Sequence, residues 1–319
     1  MKIKKKTIKK SRFYILTTDN ICKSYGKAQV LKDVSLHIPK GAIYGLIGKN
    51  GAGKTTIMRI ISGLQRPNSG SYAVFGVQND DIIINNMRRR VGAIIENPAI
   101  YKDLSAYDNL KVQCMNLGLP SYEIIDELLK TVGLENTGKK TAGKFSLGMK
   151  QRLGIAIALC GSPDILILDE PINGLDPQGI IEIREMLLDL NKTKGTTILI
   201  SSHLLDELSR VADNYGFIEN GKIIKEISKE DLEKSLRKST SIKVSDIDKT
   251  ITFLDGKGLE YEIGKDNDIS IFADDLIPSD LIVDLAGKGI TVTNISQNEE
   301  TLESYFMNLI SDGKGEGNV

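Results

Sequence analysis

The run GKNGAGKTT, Gly48 to Thr56, sets glycines, a lysine and two hydroxyls in the spacing G-x-x-x-x-G-K-[ST], with Gly48, Gly53, Lys54 and Thr55 in the fixed places. Glycines let backbone N–H groups turn inward around phosphates, and a helix starting here adds a favourable dipole for anions. Lys54 supplies a cation for the β- and γ-phosphates, and the Thr55 hydroxyl supplies a ligand for Mg²⁺. A second stretch, ILILDE from Ile165 to Glu170, is an apolar run that ends in two carboxylates. It suits the other half of such a site: Asp169 acting on the metal, directly or through water, and Glu170 polarising the attacking water as general base. In isolation the pair reads equally well as two surface acids at a strand end; the phosphate loop upstream is what gives them a partner.

These residues need particular elements to hold them. AIYGLI before the loop is an apolar run of strand length, and TIMRIISGL after it has apolar residues at helical spacing. FYILTT and VLKDVSLHI read as strands ahead of the loop, with a turn at Pro39–Gly41; SYAVFG and VGAIIE form another pair around a polar segment. The run Met87-Arg88-Arg89-Arg90 within that segment reads as a solvated helix face. LSAYDNLKVQCMNLGL and SYEIIDELLKTVGL carry i, i+3, i+4 apolar spacing and end near glycine. DILILDEP and TTILISSH are buried-strand patterns around the helical GIIEIREMLLDLNKTKG; a helix LLDELSRVAD follows, then a hairpin turning at Asn220-Gly221. Alternation of strands and helices predicts a mostly parallel sheet.

Beyond about residue 235 the composition changes. SIKVSD, EYEIG, DISIFA and ITVTNIS are strand-like, with helical DIDKTITFLDGKG and SDLIVDLAGKG between them. The order β-α-β-β-α-β predicts a small ferredoxin-like α+β domain. NEETLESYFMNLIS reads as a last helix and GKGEGNV as a flexible tail.

Composition bounds the rest. A chain of 319 residues with 40% hydrophobic content holds one large domain and a small one. Lys+Arg and Asp+Glu both total 42, so no overall basic field recruits nucleic acid. Cys22, Cys114 and Cys160 are spaced for neither a disulfide framework nor a zinc site, and read as small core hydrophobes in a reducing compartment. No run of about 18 apolar residues spans a membrane. The basic start MKIKKKTIKKSR reads as a solvated tail, with weak attraction to anionic lipid as the other reading.

Between the two chemical stretches lies KFSLGMKQRLGIAIAL, where Ser146 and the amides after it open an apolar helix and make a second anion-ready helix N-terminus. With this segment in place the sequence resembles the ATP-binding subunit of an ABC transporter over residues 16 to 230, with all motifs in family order. FSLGMKQRLGIA is similar to the signature of the bacitracin-resistance and lantibiotic-immunity exporters; Leu147 replaces the first glycine of the usual form, and Gly148 keeps the second.

The resemblance implies an α/β fold: a P-loop NTPase with mixed sheet, antiparallel β subdomain and helical subdomain (about 98–160), followed by the small C-terminal α+β domain. The implied boundaries are a tail over 1–15, the ATP-binding domain over 16–234 and the accessory domain over 235–319. It also implies residue roles. Tyr25 stacks on adenine; Gly48, Asn50, Gly51, Ala52, Gly53, Lys54, Thr55 and Thr56 hold the phosphates. Ser146 and Gly148 reach the nucleotide of a second copy, and Asp176 in NGLDP communicates across the dimer. His203 in SSHLLDE contacts the γ-phosphate, whereas His37 has no such companions and reads as structural. Thr55, Asp169 and Glu96 are the implied metal ligands, and Glu170, His203 and Glu96 the catalytic groups. Glu96 is a departure, since most such ATPases carry glutamine after the VG strand; the peptide-antibiotic branch carries glutamate. A carboxylate there ligates Mg²⁺ or accepts from water as the amide oxygen would, but adds charge beside a triphosphate.

The cofactors implied are ATP and Mg²⁺, and the reaction is ATP hydrolysis coupled to transport. The implied partners are a second copy, head to tail, and a separate integral membrane permease whose coupling helix docks around Asn97 to Tyr122. The implied location is the cytoplasmic face of a bacterial cell membrane, peripheral, and the implied cargo a peptide antibiotic. Two other readings remain open at this point: the same engine in a soluble non-transport role or with another small-molecule cargo, and a regulatory module that holds ATP without turnover.

Overall fold

The computed structural model describes residues 13–236, 238–264, 268–273, 276–299 and 301–312, so the expected basic N-terminal tail and the GKGEGNV tail lie outside the described residues. The chain divides into two units, between Ser228 and Lys229.

The first unit begins with β1 (Tyr14–Tyr25) and β2 (Ala28–Pro39), then β3 (Ile43–Ile47) leads through the phosphate loop into α1 (Lys54–Ile61). β4 (Ser69–Val74), β5 (Val77–Gln78), α2 (Ile84–Arg88) and β6 (Val91–Ile94) follow. The helical part comprises α3 (Ala106–Leu117), α4 (Ile124–Thr131) and α5 (Leu147–Leu159). Then come β7 (Ile165–Asp169), α6 (Pro177–Lys194), β8 (Thr197–Ser202), α7 (Leu205–Ser209), β9 (Asn214–Glu219) and β10 (Lys222–Ser228).

Two sheets organise these elements. An antiparallel sheet has the order β2-β1-β4-β5, and a six-stranded sheet the order β10-β9-β3-β8-β7-β6. From β9 to β6 every neighbour is parallel, and only the β9–β10 hairpin is antiparallel. All residues of β3, β7 and β8 are buried, as expected for parallel strands covered on both faces. α1 sits between the layers: Ile57, Met58, Ile60 and Ile61 are fully buried, in one core with Leu16, Leu36 and Val74 of the antiparallel sheet and Ile167 and Leu199 of the parallel one. Each such side chain contributes about 1.5–3 kcal/mol on burial, so the helix that begins at Lys54 is fixed from both sides.

The helical part is bounded by caps. α3 starts at Ser105, whose hydroxyl accepts from Asp108 N–H, and stops at Gly118 in the left-handed region. Buried Asn109 donates to the carbonyls of Tyr101 and Ser105 and accepts from Tyr101 N–H, tying the loop 101–105 to α3.

Two sequence expectations for this unit are revised. The helix expected over LLDELSRVAD is only α7, because Leu204 N–H turns back to Ser202 Oγ at its start and the chain must reach β9 by Asn214. The arginine run is not simply a solvated face: Arg88 bonds Tyr72 Oη at 2.5 Å, and Arg90 bonds Asp164 at 2.8 Å while covering the Phe75 ring at 4.1 Å.

The second unit holds α8 (Lys229–Ser235), β11 (Lys238–Val244), α9 (Ile247–Lys257), β12 (Glu260–Ile263), β13 (Asp268–Phe272), α10 (Pro278–Gly287), β14 (Val292–Glu299) and α11 (Leu302–Asp312). Its sheet has the order β12-β13-β11-β14, antiparallel throughout. Two interleaved β-α-β crossovers of this kind make the ferredoxin-like arrangement, around a core of Ile242, Leu254, Ile269, Ile271, Leu281 and Leu285. The last helix starts later than its sequence pattern, because pairing with Ser239 and Lys238 takes Asn298 and Glu299 into β14.

Candidate active site

The phosphate loop leaves β3 at Ile47 and enters α1 at Lys54. Gly53 caps the helix at φ 110°, a conformation closed to residues with a side chain, and no side chain caps the first turn. The amides of that turn therefore face outward for an anion. Gly48 is required by close approach, since a Cβ there would lie 2.5 Å from the Ile218 carbonyl oxygen. A cavity of about 190 Å³ is lined by Lys49, Asn50, Gly51, Gly53, Lys54, Thr55, Thr56, Val30 and Glu170. Lys54 is 5% exposed and donates to the Gly48 carbonyl at 2.6 Å, which curls its stem back into the loop. Ala52 adds its N–H to the Lys49 carbonyl at 3.1 Å, closing the loop's turn.

β7 delivers the carboxylates. Asp169 is 3% exposed, and two hydroxyls satisfy it: Thr55 donates to Oδ2 and Ser201 to Oδ1, both at 2.6 Å. Ser201 stands opposite Asp169 in the β7–β8 register, and its oxygen also accepts the Glu170 N–H at 2.9 Å. Glu170 has φ 49°, the left-handed region, which turns its side chain off the strand tip. Its Oε1 lies 3.2 Å from Lys54 Nζ, and its Oε2 lies 2.8 Å from His203 Nδ1. An ionised carboxylate only accepts, so the imidazole presents Nδ1–H to it.

A second group sits at two helix N-termini. Ser146 caps α5 by accepting Met149 N–H at 3.3 Å, and Asp176 caps α6 by accepting Gly179 N–H at 3.3 Å. The two loops touch: a Cβ on Gly148 would meet Leu175 at 3.8 Å, and one on Gly174 would meet Leu147 at 3.3 Å. Neither Ser146, Gly148 nor Asp176 lines the phosphate-loop cavity.

The remaining expected residues lie apart from both groups. Tyr25, at the end of β1, is 43% exposed; its hydroxyl donates to Gln65 at 2.7 Å, and Lys23 lies 5.6 Å from its ring centre. Glu96 joins neither Thr55 nor Asp169; its Oε1 accepts from Arg59 Nη2 at 2.6 Å. His37 is engaged with Glu226, whose Oε2 lies 2.8 Å from His37 Nδ1 and whose Oε1 accepts from buried Tyr44 Oη at 2.5 Å. Burial, reinforced by that carboxylate, pushes the Tyr44 phenol well above its usual range.

Sequence reading missed Ser201, Arg59 and Gln65. The doubled serine of TTILISSH was the only available signal for Ser201, because a strand aligned beside β7 brings one residue level with Asp169. No local pattern marks the other two.

The donor set suits Mg²⁺: one hydroxyl and one carboxylate leave the other positions to water and phosphate oxygens, the habit of this ion. Among the described residues no cluster of three or more His, Cys, Asp or Glu holds a metal by itself.

A Gly-rich loop between a buried parallel strand and a helix, facing a carboxylate-tipped second strand, makes this a P-loop nucleotide-binding cassette. Residues 31–173 match the family model described as ABC transporter. The chain is 40% identical over 302 residues to the bacitracin transport ATP-binding protein BcrA of Enterococcus faecalis, covering 94% of this chain and 97% of that protein. A match of that length necessarily extends into the second unit. The lantibiotic transport ATP-binding protein SrtF of Streptococcus pyogenes is 52% identical over 214 residues, 66% of this chain and 90% of its own. Among solved structures, cbiO1 of Clostridium perfringens, part of the ABC transporter complex cbiONQ, aligns with a TM-score of 0.63 at 30% identity, covering 69% of this chain and 90% of that one. The chain belongs to the family of ABC transporter ATP-binding proteins.

Proposed function

We propose that this chain hydrolyses ATP to power export of a peptide antibiotic of the bacitracin or lantibiotic kind through a separate membrane permease. The observation that carries the catalytic reading is the Glu170 carboxylate, held between Lys54 and His203 at the mouth of the phosphate loop. Lys54 and the loop amides bind the β- and γ-phosphates, and the flat ring of Tyr25 takes the adenine. Thr55 and Asp169 would hold Mg²⁺, which when bound would supply positive charge against the phosphates. Glu170 accepts the proton of the water that attacks the γ-phosphorus as the bond to the ADP oxygen breaks. His203 orients that carboxylate. Glu96 is assigned to the metal or the water.

The active unit is a head-to-tail pair of chains. Ser146, Gly148 and Asp176 are assigned to the nucleotide on the partner copy; in support, they lie outside the cavity that Lys54 and Glu170 line. ATP binding closes the pair and hydrolysis reopens it, a population shift driven by ligand. A separate permease supplies the path, and the chain works at the cytoplasmic face held by it; among the described residues no helix is long and apolar enough to cross a membrane. The segment around Asn97 to Tyr122, braced by Asn109, receives the permease. The cargo assignment rests on the bacitracin and lantibiotic transport roles of the two relatives.

The test is affinity capture of the full-length Glu170→Gln chain from detergent-solubilised native membranes with ATP, followed by mass spectrometry. Capture of a multi-spanning hydrophobic protein is expected. Recovery of soluble or ribosomal proteins alone contradicts the transport role.

A further inference from the structure

Arg59 lies on α1 four residues beyond Thr55, on the same helix face and about 6 Å further along the axis. Its guanidinium holds the Glu96 carboxylate at 2.6 Å, while Thr55 holds Asp169. Glu96 is therefore stationed at the far end of one helical turn from the Thr55–Asp169 pair. Its backbone is in the left-handed region, φ 67°, a conformation that non-glycine residues keep only where the surroundings impose it. Two residues on, Pro98 packs on α5 so closely that a Cβ on Gly154 would come within 2.4 Å of it. The Glu96 segment is thus gripped by α1 on one side and by α5 on the other.

We propose that Arg59 is a positioning residue that parks Glu96 one helical turn away from the Thr55–Asp169 pair, and that Glu96 reaches the metal position only when this ion pair opens. The inference rests on the reading of Glu96 as a ligand to the metal or its water. A third acid left beside Asp169 and Glu170 raises the local negative charge, and a guanidinium, charged at every working pH, removes that cost. Arg59 and Glu96 are both substantially solvent-exposed, so the pair biases the parked position by only about two- to fivefold. A cation attracting Glu96 can overturn a bias of that size.

Two measurements on the full chain test it. In the metal- and nucleotide-free protein, Arg59→Gln should speed amide hydrogen exchange across residues 95–100 by about two- to fivefold, with Arg59→Lys restoring most of the protection. In the ADP-loaded protein, Mn²⁺ titration followed by electron paramagnetic resonance should show Arg59→Gln binding Mn²⁺ about two- to fivefold more tightly, a gain that disappears in Arg59→Gln/Glu96→Ala. Wild-type or weaker Mn²⁺ binding by Arg59→Gln, when Glu96→Ala alone weakens it, overturns the parking role and leaves Glu96 as a ligand. Wild-type Mn²⁺ binding by Glu96→Ala overturns the reading of Glu96 itself.

Discussion

Glu170 Oε1 lies 3.2 Å from Lys54 Nζ, so the lysine of the glycine-rich loop is already paired with the carboxylate at the tip of β7. Lys54 is almost fully buried and Glu170 largely so, which keeps the pair from being screened away. On the proposed reading of Lys54 as the phosphate-binding cation, nucleotide competes with Glu170 for it.

It follows that Glu170→Gln, which keeps the shape and removes the charge, should bind ATP about tenfold more tightly than the native chain, a gain of about 1.4 kcal/mol. Equilibrium titration with a fluorescent ATP analogue reads this directly. Unchanged or weaker binding contradicts the competition.

Ser201 serves both carboxylate residues, donating to Asp169 and accepting from the Glu170 amide, and it is fully buried. Ser201→Ala leaves both groups short of a partner. Denaturant titration should show a loss of about 1–3 kcal/mol, and Mn²⁺ affinity of the ADP-loaded protein should fall about tenfold. Wild-type values in both would show that the hydroxyl does nothing for the site.

Burial, together with neighbouring Cys114, pushes the Cys160 thiol from 9.0 up to about 12. Folding therefore favours the neutral thiol. The stability this gives is complete below about pH 9 and is lost as pH rises through about 12; buried Tyr44, also raised, adds to the loss at the alkaline end. The denaturation midpoint should hold up to about pH 9 and decline beyond it. At about pH 7.5 a maleimide should label Cys22, which is half-buried, ahead of buried Cys114 and Cys160. Early labelling of Cys160 contradicts this.

What was legible in the sequence was local. Gly48 to Thr56 is a continuous pattern whose flanks name their own elements; β3 and β7 announce themselves as apolar runs bounded by charge or turn residues, and β8 by its centre Ile198–Ile200. The partners of those residues were not legible, because they depend on how distant strands align. Ser201 meets Asp169 across 32 residues, and Glu226 meets Tyr44 across 182. Arg59 carries no local pattern that names a partner, and only the turn of the chain at Glu96 gives it one. Asn298 and Glu299 carried helical character in their own segment, yet pairing with β11 drew them into β14; sheet pairing prevailed over local preference there.

The assignment of Lys54 and Glu170 as an ATP-hydrolysing pair is tested by phosphate release from Mg-ATP by the purified full chain beside Lys54→Ala and Glu170→Gln. The native chain should release phosphate continuously, and each variant should be at least about a hundredfold slower. Equal rates in the native chain and Glu170→Gln would contradict the assignment.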